Sequence, residues 1–583
     1  MKILSFRSLA LPPLALMIAL TLGLAACGGD SGGYTPSPVS VTDRRPLSAA
    51  FTTRSAVSYS PYRTSTSESD LNREVITAAN VRQDLQLIRA AGIGTIRLFS
   101  SRAFAQTVLT VIRDDNLDIK VMLGAYVNPV GTGANAAANE ADNQAELDKA
   151  ILLANQFRSS VEAVSVGNET MVVWSTHKIA PETVASYLRK VRSAITQPVT
   201  TDDNWLFWAS VPKVIADVVD FASVHTYPLL DTFYDPLLWD WRFKTTAANQ
   251  RAAAMTAGAI TEAKRQFGEA RAAFDRLNLP DFPMVIGETG WTARDAGGGP
   301  VLNFRAHPVN QKMYFDALQT WATEGRRTAH GPKAIFFFQA FDEAWKQGDD
   351  GWGLFNKDRQ ARYTVQGLGT CGQTWVCEAG TYSSADALSW VAPTVVPAIT
   401  ATRYTLYADA VVAGEARATG LRWDPFALTG YRDDTSTAAP GDGNTSFEIT
   451  PNPVNFGWGL FLHSGAGVTE NLSAFAATGR LNFSVKSDSY PGKIEVGIST
   501  DTEDRDIQEA YLQIGPGDYG YCNTNNWCQV SIPLSAFVAA NPKLDLRMVS
   551  FRFTLADRFS FTGKPLNTTG LPKISVDAIH WSR

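Results

Sequence analysis

The sequence predicts an α/β chain in two parts, a (β/α)8 TIM barrel followed by an all-β sandwich. Three observations carry that expectation. From Ala56 to Phe341 short apolar runs alternate with segments of helical period, and the runs number eight. No Gly-rich dinucleotide fingerprint follows the first run, and eight units in roughly 300 residues suit a closed barrel better than an open doubly wound sheet. Beyond "SWVAPTVVPAITATRY" the pattern changes to short strands of period two.

The elements follow in order. Residues 1–26 read as a secretory signal: Lys2 and Arg7 precede the apolar "LALPPLALMIALTLGLAAC", whose prolines argue against a lasting membrane helix. Its ending, Leu24 to Cys27, resembles a bacterial lipobox, which implies a lipidated N-terminal Cys27 after cleavage; an ordinary signal with an incidental cysteine is the alternative. The Gly-, Ser- and Pro-rich stretch over 27–49 reads as a solvated tether. With no Asp directly after Cys27, the bacterial sorting rule favours the outer membrane, facing periplasm or surface.

The barrel is expected over 50–385. Its strand candidates are "AVSYSPY", "TIRLFS", "IKVMLGAY", "AVSVGNE", "QPVTTDD", "FASVHTYP", "PMVIGETG" and "AIFFFQAFDE". Between the fourth and fifth, Val184, Leu188, Val191 and Ile195 share one helical face, and Pro181 stands near that helix's start. A barrel gathers its chemistry at the C-terminal ends of its strands. Glu169 ends the fourth strand and Glu288 the seventh, so two carboxyl groups far apart in sequence are expected to face one mouth. Cleaving a glycosidic bond needs such a pair, one protonated to release the leaving oxygen and one ionised to attack the anomeric carbon. Asn168, beside the acid, offers an amide for a sugar hydroxyl next to the reacting carbon. Metal binding and salt bridging are the competing roles for any single strand-end Glu.

Taken together, "VGNE", "IGETGW", "RLFS", "VMLGAY", "HTYP" and "FDEAWK" resemble glycoside hydrolase family 17, the retaining β-1,3-glucanases of the large (β/α)8 glycosidase clan, over about Ala56 to Phe355. The resemblance implies Glu169 as acid/base and Glu288 as nucleophile, with carboxyl groups about 5 to 5.5 Å apart. It further implies that Tyr227 hydrogen-bonds the nucleophile and that Glu343 and Lys346 stand near the bound sugar. Tyr59 and Tyr62 after the first strand, and Arg97 with Phe99 after the second, are placed at the mouth; Arg97 could equally neutralise carboxylates. Trp205, Trp208, Trp239, Trp241 and Trp291, in loops after strands five to seven, are expected sugar platforms, each with burial as its competing role. His225 reads as a hydrogen-bonded structural residue. The sequence departs from plant members at "VHTYPLL" and "AYVNPVGTG", and those loops set cleft length and substrate branching.

A linker over 386–400 leads to a sandwich over 401–583, with strands such as "RLNFSVKS", "KIEVGIST", "CQVSIPL", "VSFRFTL" and "ISVDAIHW". "LYADAVVAG" and "VDAIHW" resemble the galactose-binding-like jelly rolls of carbohydrate-binding modules. That resemblance implies a structural calcium at Asp409 and Asp577, which could otherwise be turn or edge residues, and sugar stacking or burial for Trp423, Trp458 and Trp527. Four cysteines stand as two close pairs, Cys371 with Cys377 and Cys522 with Cys528; three connectivities are open, the local one favoured in an oxidising setting, and the spacing does not suit zinc.

A net charge of -5 with scattered Lys and Arg argues against a nucleic-acid partner, and 45% apolar residues supply sizeable cores. The sequence therefore reads as a lipid-anchored, exported enzyme that cuts laminarin-type β-1,3-glucan internally, without a catalytic cofactor. A transglucosylase using the same two acids and a non-catalytic glucan-binding lipoprotein are the alternatives.

Overall fold

The computed structural model describes residues 43–583 apart from 131–134, 176, 235–237, 296–301, 303, 347–350, 392–393, 453–456, 466–467, 502–507 and 559–569. The signal, Cys27 and most of the tether lie outside the described residues. Internal contacts divide the chain into two compact units, Met1–Val391 and Ala392–Arg583.

In the first unit eight strands close into one parallel barrel: β1 (Ser55–Ser58), β2 (Ile93–Leu98), β3 (Lys120–Ala125), β4 (Val161–Asn168), β5 (Val199–Asn204), β6 (Ala222–His225), β7 (Met284–Thr289) and β8 (Ile335–Phe337). Closure is made by Ala56 and Val57 of β1 against Phe336 and Phe337 of β8. Each of the eight expected runs supplies one strand. The helix Pro181–Ala194 begins at its proline, where a missing N–H costs nothing, and buries Val184, Leu188 and Val191. Among the described residues no helix is long and apolar enough to cross a membrane.

One end of the barrel is plugged. Ser48 caps the short helix Ala49–Thr52 by accepting the Phe51 amide at 3.1 Å, and Phe51 is thereby buried against Phe221 and Phe336. Phe221 precedes β6 and Ala334 of the same cluster precedes β8, so the plug closes the end where the strands start. The opposite end remains for chemistry.

The second unit packs two antiparallel-rich sheets over a shared core that includes Ile449, Leu460, Val485, Ile498, Phe553 and Val576. One holds β9 (Arg403–Tyr407), β10 (Ala416–Arg417), β12 (Leu428–Asp434), β13 (Ser446–Pro451), β15 (Arg480–Lys486), β18 (Cys528–Pro533) and β20 (Ile574–Ser582). The other runs β11 (Arg422–Phe426), β14 (Trp458–His463), β19 (Val549–Asp557), β16 (Ile494–Thr500) and β17 (Gln508–Ile514). Both disulfides pair locally, Cys371–Cys377 and Cys522–Cys528, with Cα separations of 5.5 and 5.9 Å.

Candidate active site

Two carboxyl groups meet at the open end of the barrel, and one imidazole stands between them. His225, the last residue of β6, lies with Nδ1 3.1 Å from Glu169 Oε1 and 3.7 Å from Glu288 Oε2. Laid end to end, those distances fall near the bottom of the roughly 6.5–9.5 Å spacing of inverting glycosidases and leave room for the retaining spacing. Glu169 directly follows β4 in the left-handed region (φ 48°), a backbone strain of the kind found at functional sites. Its side chain is 34% exposed, whereas that of Glu288 is 8% exposed.

Glu288 is held as an anion. Arg97, 1% exposed at the end of β2, donates Nη1 to Glu288 Oε1 at 2.5 Å, Nε to Asp202 Oδ2 at 2.9 Å and Nη2 to Asn168 Oδ1 at 2.5 Å. Tyr227 donates its hydroxyl to Glu288 Oε2 at 2.6 Å. Burial by itself would raise the Glu288 carboxyl, yet the His225 and Arg97 charges and the two donors hold it below its ordinary value. Burial and then the Glu288 charge push the Tyr227 hydroxyl well up, so it stays a donor.

The same carboxylates reverse the ordinary fate of a buried histidine. Desolvation disfavours its cation, but Glu288, Asp202 and Glu169 together raise it from 6.5 to about 10. Its Nε2 stands 3.8 Å from Asp202 Oδ1. Asp202 also accepts Ser165 Oγ at 2.5 Å and, despite burial, is lowered to about 2 by Arg97 and His225. Neighbouring Asp203 goes the other way: burial and the Glu169 charge raise it to about 7, while its oxygens accept the Met171 and Asn204 amides at 2.8 Å each and so fasten the loop after Glu169. Gly287 makes this cluster possible, since a Cβ there would meet Ser223 Oγ at 2.2 Å and Asp202 Oδ1 at 2.7 Å.

Other expected positions divide. Lys346 Nζ pairs with Glu343 Oε2 at 2.5 Å, and Trp345 Nε1 donates to Glu343 Oε1 at 3.1 Å. Lys346 also lies over Phe338, 4.8 Å from the ring centroid, which joins it to an aromatic group beside Glu288: Tyr227, Phe338 and Trp352 meet edge to face at 5.6 to 6.2 Å. Tyr59 is not at the mouth. It is fully buried and donates to Asp84 Oδ2 at 3.0 Å, because the Asp84 carboxylate needs donors and takes Arg63 and Arg359 as well. Tyr62 lies nearer the site, its hydroxyl pushed to about 12 by burial and then by the Glu343 and Glu74 charges. Trp291, 1% exposed, donates Nε1 to Arg305 O and packs on Tyr314, so it is core and not a sugar platform. Trp208 and Trp241 are likewise buried, and Trp205 lies under Arg265.

In the second unit Trp458 is buried, with Nε1 on Tyr490 Oη, and Trp527 lies beneath Lys486. Asp409 Oδ2 is taken by the amides of Asn444 and Thr445 at 2.8 Å each, the turn role. Asp577 accepts the Ala439 amide at 2.7 Å, and burial together with Asp442 raises it to about 7. No cluster of three or more His, Cys, Asp or Glu is arranged for a metal among the described residues.

Sequence reasoning missed His225, Asp202, Asp203, Phe338 and Trp352 as members of the site. The doublet Asp202–Asp203 at the end of β5 was the available signal, because two acids buried on adjacent strand positions demand partners.

Residues 56–354, just over half of the chain, match the BtgE/BtgC glycoside hydrolase domain. The chain belongs to that family. The chain is 24% identical over 319 residues to the probable glucan endo-1,3-beta-glucosidase btgC of Aspergillus clavatus, covering 50% of this chain but 40% of that protein. It is 23% identical over 306 residues to the glucan 1,3-beta-glucosidase of Arthroderma benhamiae, covering 49% of this chain and 84% of the relative. An endo-laminarinase structure from Formosa is similar at 24% identity and a TM-score of 0.48, over 57% of this chain and 92% of that one. Residues 428–571 match carbohydrate binding domain 30.

Proposed function

We propose that this glycoside hydrolase cleaves β-1,3-glucan of the laminarin type internally, with retention of anomeric configuration. The observation that carries the reading is the single imidazole nitrogen within 3.1 and 3.7 Å of the two carboxyl groups. In the first step Glu169 gives its proton to the glycosidic oxygen while Glu288 attacks the anomeric carbon, forming a glucosyl ester and releasing the aglycone chain. In the second, Glu169 takes a proton from water as that water attacks the same carbon and frees Glu288. Esterification removes the Glu288 charge, leaving the His225 cation to face Glu169 and Asp202. Arg97 and Tyr227 keep the nucleophile ionised and oriented, and Asn168, fixed by Arg97, presents its amide to the sugar.

The test is proton NMR of the first products from laminari-oligosaccharides. β-Anomers appearing before mutarotation support the reading; α-anomers overturn retention. Products longer than the substrate would instead make the chain a transglucosylase, and absence of turnover a binding lipoprotein.

Two further expectations belong to this reading. Export with lipid attachment at Cys27, and an outer-membrane location, are supported by the lipobox-like "LAAC"; palmitate labelling lost in Cys27→Ala tests them. A structural calcium at Asp409 and Asp577 in the second unit is supported by the Asp442 carboxyl that faces Asp577, and it would share oxygens that already take backbone amides at all three residues.

A further inference from the structure

Strand β4 does not end straight. Ser165 pairs with Thr200 of β5 and Asn168 with Asp202, so β4 takes in one extra residue between them, a bulge of the kind that re-aims a side chain. Gly167 (φ 87°) and Glu169 (φ 48°) both adopt the left-handed conformation there, and the second carries a side chain that disfavours it. Such a bend persists only where its surroundings hold it. β5 does the holding. The Glu169 amide donates to Asp202 O at 2.9 Å, and two residues on the Met171 amide donates to Asp203 Oδ2 at 2.8 Å. Met171 and Val172 are buried, and the Ile179 amide returns to Thr170 O at 2.8 Å.

Asp203 is fully buried. Its other oxygen, Oδ1, accepts the Asn204 amide at 2.8 Å. A residue needed only to close a turn could be asparagine, as at the next position, where the Asn204 side-chain oxygen takes the Leu206 amide at 3.1 Å. Two N–H donors on two different oxygens require a carboxyl group, because an asparagine at 203 would turn its NH2 toward one of them. Keeping a carboxylate in so dry a place is unfavourable: burial, then the Glu169 charge, raises Asp203 to about 7. That the Glu169 charge acts on it sets the two carboxyl groups near each other across the seam between β4 and β5.

We propose that Asp203 is a positioning residue for proton donation by Glu169: through the Met171 amide it fixes the bend that aims the acid at the departing glycosidic oxygen. Asp203 acts through Glu169 alone, since Glu288 is held by Arg97 and Tyr227. The proposal rests on the reading of Glu169 as the acid of a retaining glycosidase.

A leaving group that needs no proton separates this role from a general loss of structure. In the full chain, kcat/KM is measured on dinitrophenyl and phenyl β-laminaribiosides. Active centres are counted by the dinitrophenolate burst from the deoxyfluoro analogue, which esterifies Glu288 without help from an acid. Per active centre, Asp203→Asn should lose roughly 10–100-fold on the phenyl substrate and at most about twofold on the dinitrophenyl one. Glu169→Gln should show the same pattern more strongly. Asp203→Ser is measured in the same way in case Asp203→Asn yields no active centres. Equal losses on the two leaving groups, no loss on either, or no active centres in both Asp203 variants would each overturn the positioning role. A parent without a burst, or equal losses in Glu169→Gln, would overturn the reading of the site itself and the positioning role with it.

Discussion

Arg97 Nη1 meets Glu288 Oε1 at 2.5 Å across the barrel mouth, an ion pair in which the guanidinium is 1% and the carboxylate 8% exposed. So dry a pair gains from attraction and loses from desolvation, and its balance depends on every charge having a partner. Asp202 supplies the second anion that Arg97 needs.

Arg97→Met therefore strands two carboxylates at once. The expected outcome is a loss of about 3–5 kcal/mol in stability, read by urea unfolding, with turnover falling together with it. An unchanged denaturation midpoint would mean that Asp202 and Glu288 find other partners.

The assignment of roles is checked by azide rescue on an activated aryl β-glucoside. Glu288→Ala should yield the α-glucosyl azide, because azide enters the face vacated by the nucleophile. Glu169→Ala should yield the β-azide, since the glucosyl ester still forms and azide opens it. The opposite products would exchange the two roles.

His225 gives the site its pH signature. Its folded-state value is raised from 6.5 to about 10, so its contribution to stability is complete below 6.5 and is lost as pH rises through about 10. The melting temperature should fall across that window in the parent and much less in His225→Asn. After burial, His225 is the first cause acting on Glu288, and it lowers it, so the acidic limb of kcat/KM should move to higher pH in the same variant. Superimposable profiles would mean that His225 does not set the ionisation of Glu288.

Gly287→Ala adds one methyl group where Ser223 Oγ would lie at 2.2 Å. Overpacking of this kind costs about 1–3 kcal/mol, and here the strain falls on Ser223, Asp202 and His225. Activity should drop further than thermal stability accounts for; a variant with parental kcat would show that the cluster tolerates displacement.

Calcium should raise the melting temperature of the second unit, and EDTA should reverse the rise. Asp409→Asn and Asp577→Asn should each weaken the response, since these are the two expected ligands. A response unchanged in both variants would remove the calcium.

The eight barrel strands were legible because each is a short apolar run between helical segments, and alternation of that kind admits few topologies. Glu169 and Glu288 were legible from their place at strand ends. Trp291 and Tyr59 were misplaced for one reason: a large aromatic with a polar tip satisfies a mouth loop and a core equally well, and only its partner decides. For Trp291 the partner is Arg305 O, for Tyr59 it is Asp84. His225 was underread because its role arises from Glu169 and Glu288, carboxylates 56 and 63 positions away along the chain, and no local pattern records such a meeting.

The sequence by itself determined the barrel, the order of its strands and the two acids, since hydrophobic period and chain direction are local properties of the polypeptide. Closure of the barrel decided the rest. It brought Arg97, Asp202, His225 and Glu288 from four strands into one dry cluster, where the charge state of each depends on the others, and an interaction among residues so distant in sequence exists only once the strands have met.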